Sequence, residues 1–420
     1  MSWQISNSRI DRLIVFAELD GALAPAGELV FQGTQKRIGT FHYARSWIEN
    51  SNPPLAPVDL PVRRSALPGS PAEAPLAFYD AAPDGWGTSI LQRAFPLQQF
   101  GLAEKLAATG DDRIGALSFG FSPKAPSQWL PGTPELKLAT GNESYEELVL
   151  AAIAADNDSA DSTQLRALFR SSADIGGARP KARVRYADKE WIAKVPALGD
   201  GFDEPRIEAF CLAFAREADV DVPEFFVRPI ANRSVLFVER FDRRNGRRLG
   251  YSSVATLLRQ PYDQYRSDAS YASIAAAARR AGIVPCEKDL FRRMLVNSFV
   301  NNTDDHLRNH AFLFDAGRWK LSPAFDIVVQ KKLESVLRAA PGRQLVNDPV
   351  ERFESYEAFG LERQDAEGIY ADVVDACAQI GALLDKTEVT EQDRATIRPL
   401  IAHALSPPSL VSSIGWQREL

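Results

Sequence analysis

Cysteine is scarce in this 420-residue chain: Cys211, Cys286 and Cys377 lie far apart. An odd, scattered set argues against a disulfide framework or a zinc knuckle. Reducing, cytoplasmic surroundings are the expectation. A basic excess is also missing. The formal net charge is −6, which argues against general electrostatic coating of nucleic acid. Arginine-rich pieces such as ERFDRRNGRR, Glu239 to Arg248, still leave room for a local patch. No apolar run reaches the roughly 20 residues that span a bilayer. The opening MSWQISNSRIDRLIVFAELDG lacks a basic start followed by a long apolar region. A soluble protein without a membrane partner is expected. There is no Walker motif, no kinase-type G-x-G-x-x-G at the candidate phosphate loop, and no internal repeat.

What is present is ordinary for a globular protein: 45% hydrophobic and 25% charged residues. Such a chain can bury a sizeable core, and its length suggests two or three domains. The first part, to about Gln128, reads as strands and turns, with RLIVFAELDG ending in an Asp-Gly turn signal. Asn52 to Pro71 is proline-rich and reads as a loop. In SYEELVLAAIAA, Ser144 followed by Glu147 is a capping box that predicts a helix, and STQLRALFRSS predicts another. From Ile175 the reading is a glycine turn, a strand to Tyr186, a polar turn, and a strand to Val195. A helix follows, with Ile207, Phe210, Cys211, Phe214 and Ala218 on one face. RSVLFVERFD predicts a further strand. After Arg248 the pattern is mainly helical, with a polar insert, NNTDDHLRNH, from Asn301 to His310. The order predicts an α+β chain in three parts: a β-rich subdomain over 1–140, a small sheet lobe over 141–241, and a helical lobe over 242–420. A sheet lobe feeding a helical lobe is one way to build a nucleotide cleft.

Asp304 and Asn309 stand five positions apart, the separation used in kinase catalytic loops. There the aspartate accepts a hydroxyl proton and the asparagine is a neutral oxygen ligand for Mg²⁺. HAFLFDAGRWKLSPAFD then predicts a β-hairpin that ends at Asp326, a second candidate for the metal. A capped helix end, a wet loop and a structural hairpin are the plainer alternative. Asp305 is the bland neighbour, expected to cap backbone amides, and His306 reads as a core histidine. In GGARPK, Gly176 and Gly177 permit close backbone approach, so the loop's backbone N–H groups, that of Ala178 among them, can cradle phosphate, with Pro180 in the same stretch. Arg179 and Lys181 add charge. Taken alone, a tight turn explains this segment as well. Lys194 sits on an apolar strand, where an unpaired ammonium is costly. It either lies on an exposed edge or pairs with phosphates. Glu208 could orient it, or could simply suit the helix dipole. Glu239 to Phe241 occupies the place from which a segment linking two lobes could meet a purine.

Together, GGARPKA, WIAKVP, IEAFCLAFA, VERFDR, NNTDDHLRNHAF and LSPAFD, with FHYARSW and PDGWG upstream, resemble the HipA family of serine/threonine kinases, the toxins of HipBA-type toxin–antitoxin pairs. The resemblance implies a protein-kinase-like bilobal fold with an extra N-terminal β-rich subdomain. It implies ATP and Mg²⁺ as cofactors, with Asp304 as the catalytic aspartate and Asn309 and Asp326 as metal ligands. Lys194 and the Gly176–Lys181 loop would contact phosphates, and Glu239 and Phe241 would contact adenine. The implied partners are a small helix-turn-helix antitoxin, DNA only through that complex, and a substrate such as an aminoacyl-tRNA synthetase or another translation factor. A catalytically weak co-repressor and a small-molecule kinase are the competing readings. One departure concerns regulation. Where many relatives carry an autophosphorylated serine, this chain has Asp174, with Ser171 and Ser172 nearby. Absent or relocated regulation is expected ahead of phosphate mimicry by Asp174.

Overall fold

The computed structural model describes residues 10–33, 37–69, 72–95, 98–128, 143–173, 176–261 and 269–410. The first sheet is antiparallel, in the order Leu67–Pro68, Ile38–Tyr43, Ala22–Gln32, Arg12–Leu19, Leu117–Gly120. Its hairpin turns at Asp20–Gly21, the signal expected there. Alternate strand residues face a core in which Phe78 meets Phe41 and Phe119 edge-on, at 5.3 and 6.1 Å between ring centroids. Four short helices interrupt this region: Arg45–Glu49, Leu76–Asp80, Gly85–Ala94 and Leu102–Ala108. The expectation of strands and turns alone missed them, because five to ten residues carry too few turns of helical periodicity to stand out.

The second sheet has the order Lys181–Tyr186, Lys189–Lys194, Arg233–Glu239, Phe225–Ile230, all antiparallel. Phe225–Ile230 was not expected as a strand. It forms a hairpin with Arg233–Glu239 over the left-handed pair Ala231 and Asn232. Helices Tyr145–Asp156 and Ser162–Ser172 pack on this sheet, and the Ser144–Glu147 capping box is formed as expected. Helix Gly85–Ala94, early in the chain, joins the same core, where Trp86 and Leu91 meet Leu168, Val184 and Phe237. Helix Glu204–Glu217 starts at Asp203, which accepts from the Arg206 amide at 3.2 Å. The face expected to be apolar is buried from Ile207 to Ala218. Each fully buried phenylalanine there contributes about 1.5–3 kcal/mol of transfer free energy.

Beyond Arg248 the helices Tyr271–Arg280, Glu287–Phe299 and Arg363–Cys377 build the largest core. This part also holds an unexpected strand, Gly250–Ser253, which pairs with Ala311–Asp315 of the predicted hairpin. The hairpin closes on Arg318–Leu321 through Ala316 and Gly317, both at positive φ, the geometry of a tight two-residue turn. Among the described residues no helix is long and apolar enough to cross a membrane.

A charged junction ties the first sheet to the segment after Glu239. Arg240 pairs with Asp242 and with Asp112, each at 2.9 Å, and the Gly115 amide donates to Asp242 at 2.9 Å. Burial would raise the Asp242 carboxyl, but Arg240 and Arg243 outweigh it and hold the group well below the usual carboxylate range.

Candidate active site

Helix Glu287–Phe299 ends where Asn301 adopts a φ of 52°, the left-handed conformation that stops a helix. The Asn301 amide donates to the Gln330 and Lys332 carbonyls at 2.7 and 3.2 Å, and the Thr303 hydroxyl donates to Lys332 O at 3.1 Å. The polar insert is thereby bolted to the stretch that follows Asp326. Asp304 is exposed at the mouth of a cleft. The Asn309 side chain donates to Asp304 O at 3.2 Å, and its amide donates to His306 O at 2.9 Å, so the five-residue spacing closes on itself.

Two expectations about this insert need correction. Asp305 does not act as a backbone cap. It is buried and bonded to the side chains of Asn297 (2.8 Å), His310 (2.9 Å) and Tyr271. His306 is not the core histidine. It is half-buried, lines the cleft, and adds positive potential at Asp326. His310, the residue just before the strand Ala311–Asp315, fills the core position. Residue type alone could not separate these neighbours, because their roles depend on which side of the turn faces the helices.

The hairpin delivers Asp326 to the same cleft at a φ of 61°. Lys194, at the end of its strand, pairs with both Asp326 and Glu208, the latter at 2.5 Å. Burial pulls the Lys194 ammonium down, but the two carboxylates win and hold it above its usual value. Lys194 in turn keeps Asp326 well below the carboxylate range, while burial raises Glu208. Glu208 therefore orients the lysine, the sharper of its two expected roles.

Gly176, Gly177, Ala178, Arg179 and Lys181 line the cleft. Pro180 does not; its carbonyl accepts from the Val195 amide at 3.1 Å. The Lys181 ammonium is buried and donates to Gly176 O at 2.9 Å. Burial lowers it to about 8. Arg179 is drawn away by Asp200 at 2.5 Å and Glu204 at 2.7 Å, so most of its charge is already compensated. Upstream, Ser171 and Ser172 are buried, and the Ser172 hydroxyl donates to Lys181 O at 2.8 Å. Asp174 lies outside the described residues.

Glu239 and Phe241 stand at the far end of the cleft. The Glu239 amide is committed to Glu224 O at 2.8 Å and its carboxylate to Lys189 at 2.6 Å. The Phe241 ring packs 5.2 Å from Phe325, the residue before Asp326. Among the lining residues that sequence reasoning did not single out are Asp84 and Asp112 from the first part of the chain, and Arg308 beside Asn309. PDGWG held the only signal for Asp84.

The cleft encloses ≈ 590 Å³, within the range of small-molecule sites. Its residues fit a magnesium nucleotide. One amide oxygen and one ionised carboxylate are hard donors of the kind Mg²⁺ uses alongside phosphate oxygens. Gly177 has a φ of 87°, which side-chain-bearing residues rarely adopt, and a Cβ there would also press on Lys181 Nζ at 2.5 Å, so glycine suits this point of the loop. The arrangement could position an anion, a cation and an acceptor hydroxyl together.

Two family descriptions match this chain: a HipA N-terminal domain over residues 21–120 and a HipA-like C-terminal domain over residues 173–380. The chain belongs to the HipA family. Among solved structures it is similar to the HipA of Shewanella oneidensis MR-1, described in a toxin–antitoxin complex with HipB and operator DNA. The identity is 18%, the match covers 94% of this chain and 96% of that one, and the TM-score is 0.64. A looser likeness, to the proinflammatory kinase CtkA of Helicobacter pylori, has 13% identity, covers 55% of this chain and 89% of that one, and has a TM-score of 0.44. The fold is the kinase-like bilobal HipA fold, a small sheet lobe and a helical lobe with an added N-terminal β-rich part. Every site residue expected from the sequence falls in the HipA C-terminal match. Asp84 and Asp112 come from the HipA N-terminal match.

Proposed function

We propose that this HipA protein is an ATP- and Mg²⁺-dependent serine/threonine protein kinase that acts as a growth-inhibiting toxin. A small helix-turn-helix antitoxin would neutralise it, and DNA would be met only through that complex. The observation that carries the reading is convergence: Lys194, held by Glu208, shares one cleft with Asp304, Asn309 and Asp326, which lie more than a hundred residues further along the chain. A surface that only bound a partner would have no use for that combination.

In this reading Asn309 and Asp326 hold the magnesium, which when bound neutralises charge on the phosphates. Lys194, kept charged and oriented by Glu208, contacts phosphate, and the Gly176–Gly177 backbone lets it approach. Asp304 accepts the proton of the serine or threonine hydroxyl. The hydroxyl oxygen bonds to phosphorus as the bond to the departing ADP breaks. Most of the rate comes from positioning and charge compensation. The substrate would be a cellular protein, with an aminoacyl-tRNA synthetase or another translation factor as the first class to try. Purified protein, γ-labelled Mg-ATP and a cell extract provide the test. Labelled protein bands with the wild type and none with Asp304→Ala are expected. Nucleotide binding and antitoxin binding without any transfer would instead favour a co-repressor.

A further inference from the structure

We infer that the turn Asp84–Gly85–Trp86 clamps the phosphate loop, with Asp84 as a positioning residue for phosphoryl transfer. This inference rests on the kinase reading. Asp84 is the N-cap of helix Gly85–Ala94, a position where a carboxylate ordinarily accepts from its own first-turn amides. Its side chain makes no such bond. One oxygen instead accepts the Gly177 amide at 2.5 Å, and the other faces the Arg308 guanidinium. The next residues grip the loop as well. The Trp86 amide donates to Gly177 O at 2.8 Å, and its indole N–H donates to Lys181 O at 2.8 Å. Gly85 permits the approach, because a Cβ there would lie 2.6 Å from Gly177 O.

Three hydrogen bonds thus hold both ends of a five-residue stretch, all from a segment more than ninety residues upstream. The clamp also spans the cleft. Arg308 adjoins Asn309 and follows Asp304 by four residues, so one carboxylate links the phosphate loop to the catalytic loop. Its charge is locally balanced by that arginine, which keeps a carboxylate tolerable beside an anion site. Errors of about 1 Å in such positioning cost orders of magnitude in rate.

The test uses the full chain as wild type, Asp84→Ala and Asp84→Asn, with hydrogen exchange over residues 176–181 and Mg-ATP calorimetry. Asp84→Ala should speed loop exchange at least tenfold without nucleotide and weaken Mg-ATP binding at least tenfold, raising KM for ATP more than it lowers kcat. Asp84→Asn keeps an acceptor for Gly177 but loses the charge facing Arg308, and should fall between. If the alanine variant does not fold, the asparagine variant carries the comparison. Unchanged exchange and affinity in a variant that folds, beside normal wild-type binding, would refute the clamp alone. Tighter nucleotide binding would also refute it, marking Asp84 as a competing anion. A wild type that binds no Mg-ATP would overturn the kinase reading and the clamp's role with it.

Discussion

Replacing Lys194 by methionine keeps the length of the side chain and removes its charge. Glu208, whose side chain is 5% exposed, then loses its partner at 2.5 Å while Asp326 remains close. Stripping one member from a buried ion pair costs about 3–5 kcal/mol. Lys194 retains 15% exposure and Asp326 42%, and Lys181 still offers Glu208 some positive potential. These place the loss at the lower end, about 3 kcal/mol near pH 8. The sign of its pH dependence follows from burial. Glu208 already titrates above its usual value because it is desolvated, and losing Lys194 drives it higher. A carboxyl raised in the folded state destabilises at high pH and is harmless below its unfolded value of about 4.3. The deficit should therefore shrink as pH falls through the raised pKa, by no more than about 1.4 kcal/mol per unit. Native-state hydrogen exchange of the Lys189–Lys194 strand, corrected for intrinsic rates, reads this locally at pH 8 and 5.5. A deficit independent of pH, or one under about 1 kcal/mol at pH 8, would refute the reasoning.

Adjacent aspartates should give opposite phenotypes. Asp304→Ala should abolish transfer while leaving thermal stability within about 0.5 kcal/mol, because the side chain is exposed. Asp305→Ala strips the acceptor from Asn297, His310 and Tyr271 and should lower stability by about 3 kcal/mol in thermal unfolding. Lys181, lowered to about 8 by burial, is a cation below that pH and loses its charge as pH rises through it. Mg-ATP affinity measured by calorimetry should fall between about pH 7 and pH 9, and Lys181→Arg should flatten the profile.

Much of this was legible in the sequence, and the reasons differ by residue. The Glu204–Glu217 helix and the Ala311–Leu321 hairpin carried strong local patterns, a five-residue apolar face in one and a two-residue turn in the other. Lys194 stood out because an ammonium on an apolar strand demands a partner. Glu208 was named as one possible partner, but Asp326 as the second was not legible, since it lies 132 residues away. Strand Gly250–Ser253 went unread because four residues gain strand identity only from the neighbour they pair with. The cleft positions of Asp84, in the PDGWG stretch, and of Asp112 could not be read for a related reason. Their place in the cleft depends on how the first part of the chain docks, and no local pattern encodes that.

The long separation between Lys194 and Asp326 has a consequence for a protein of this kind while it is being made. At about 5–20 residues per second, roughly 7–26 s pass between the synthesis of one and the other. Until then Lys194 and Glu208 can meet, but the second acid is not yet in the chain. On the proposed kinase reading, the growing chain therefore lacks a complete phosphate and metal site for most of its translation.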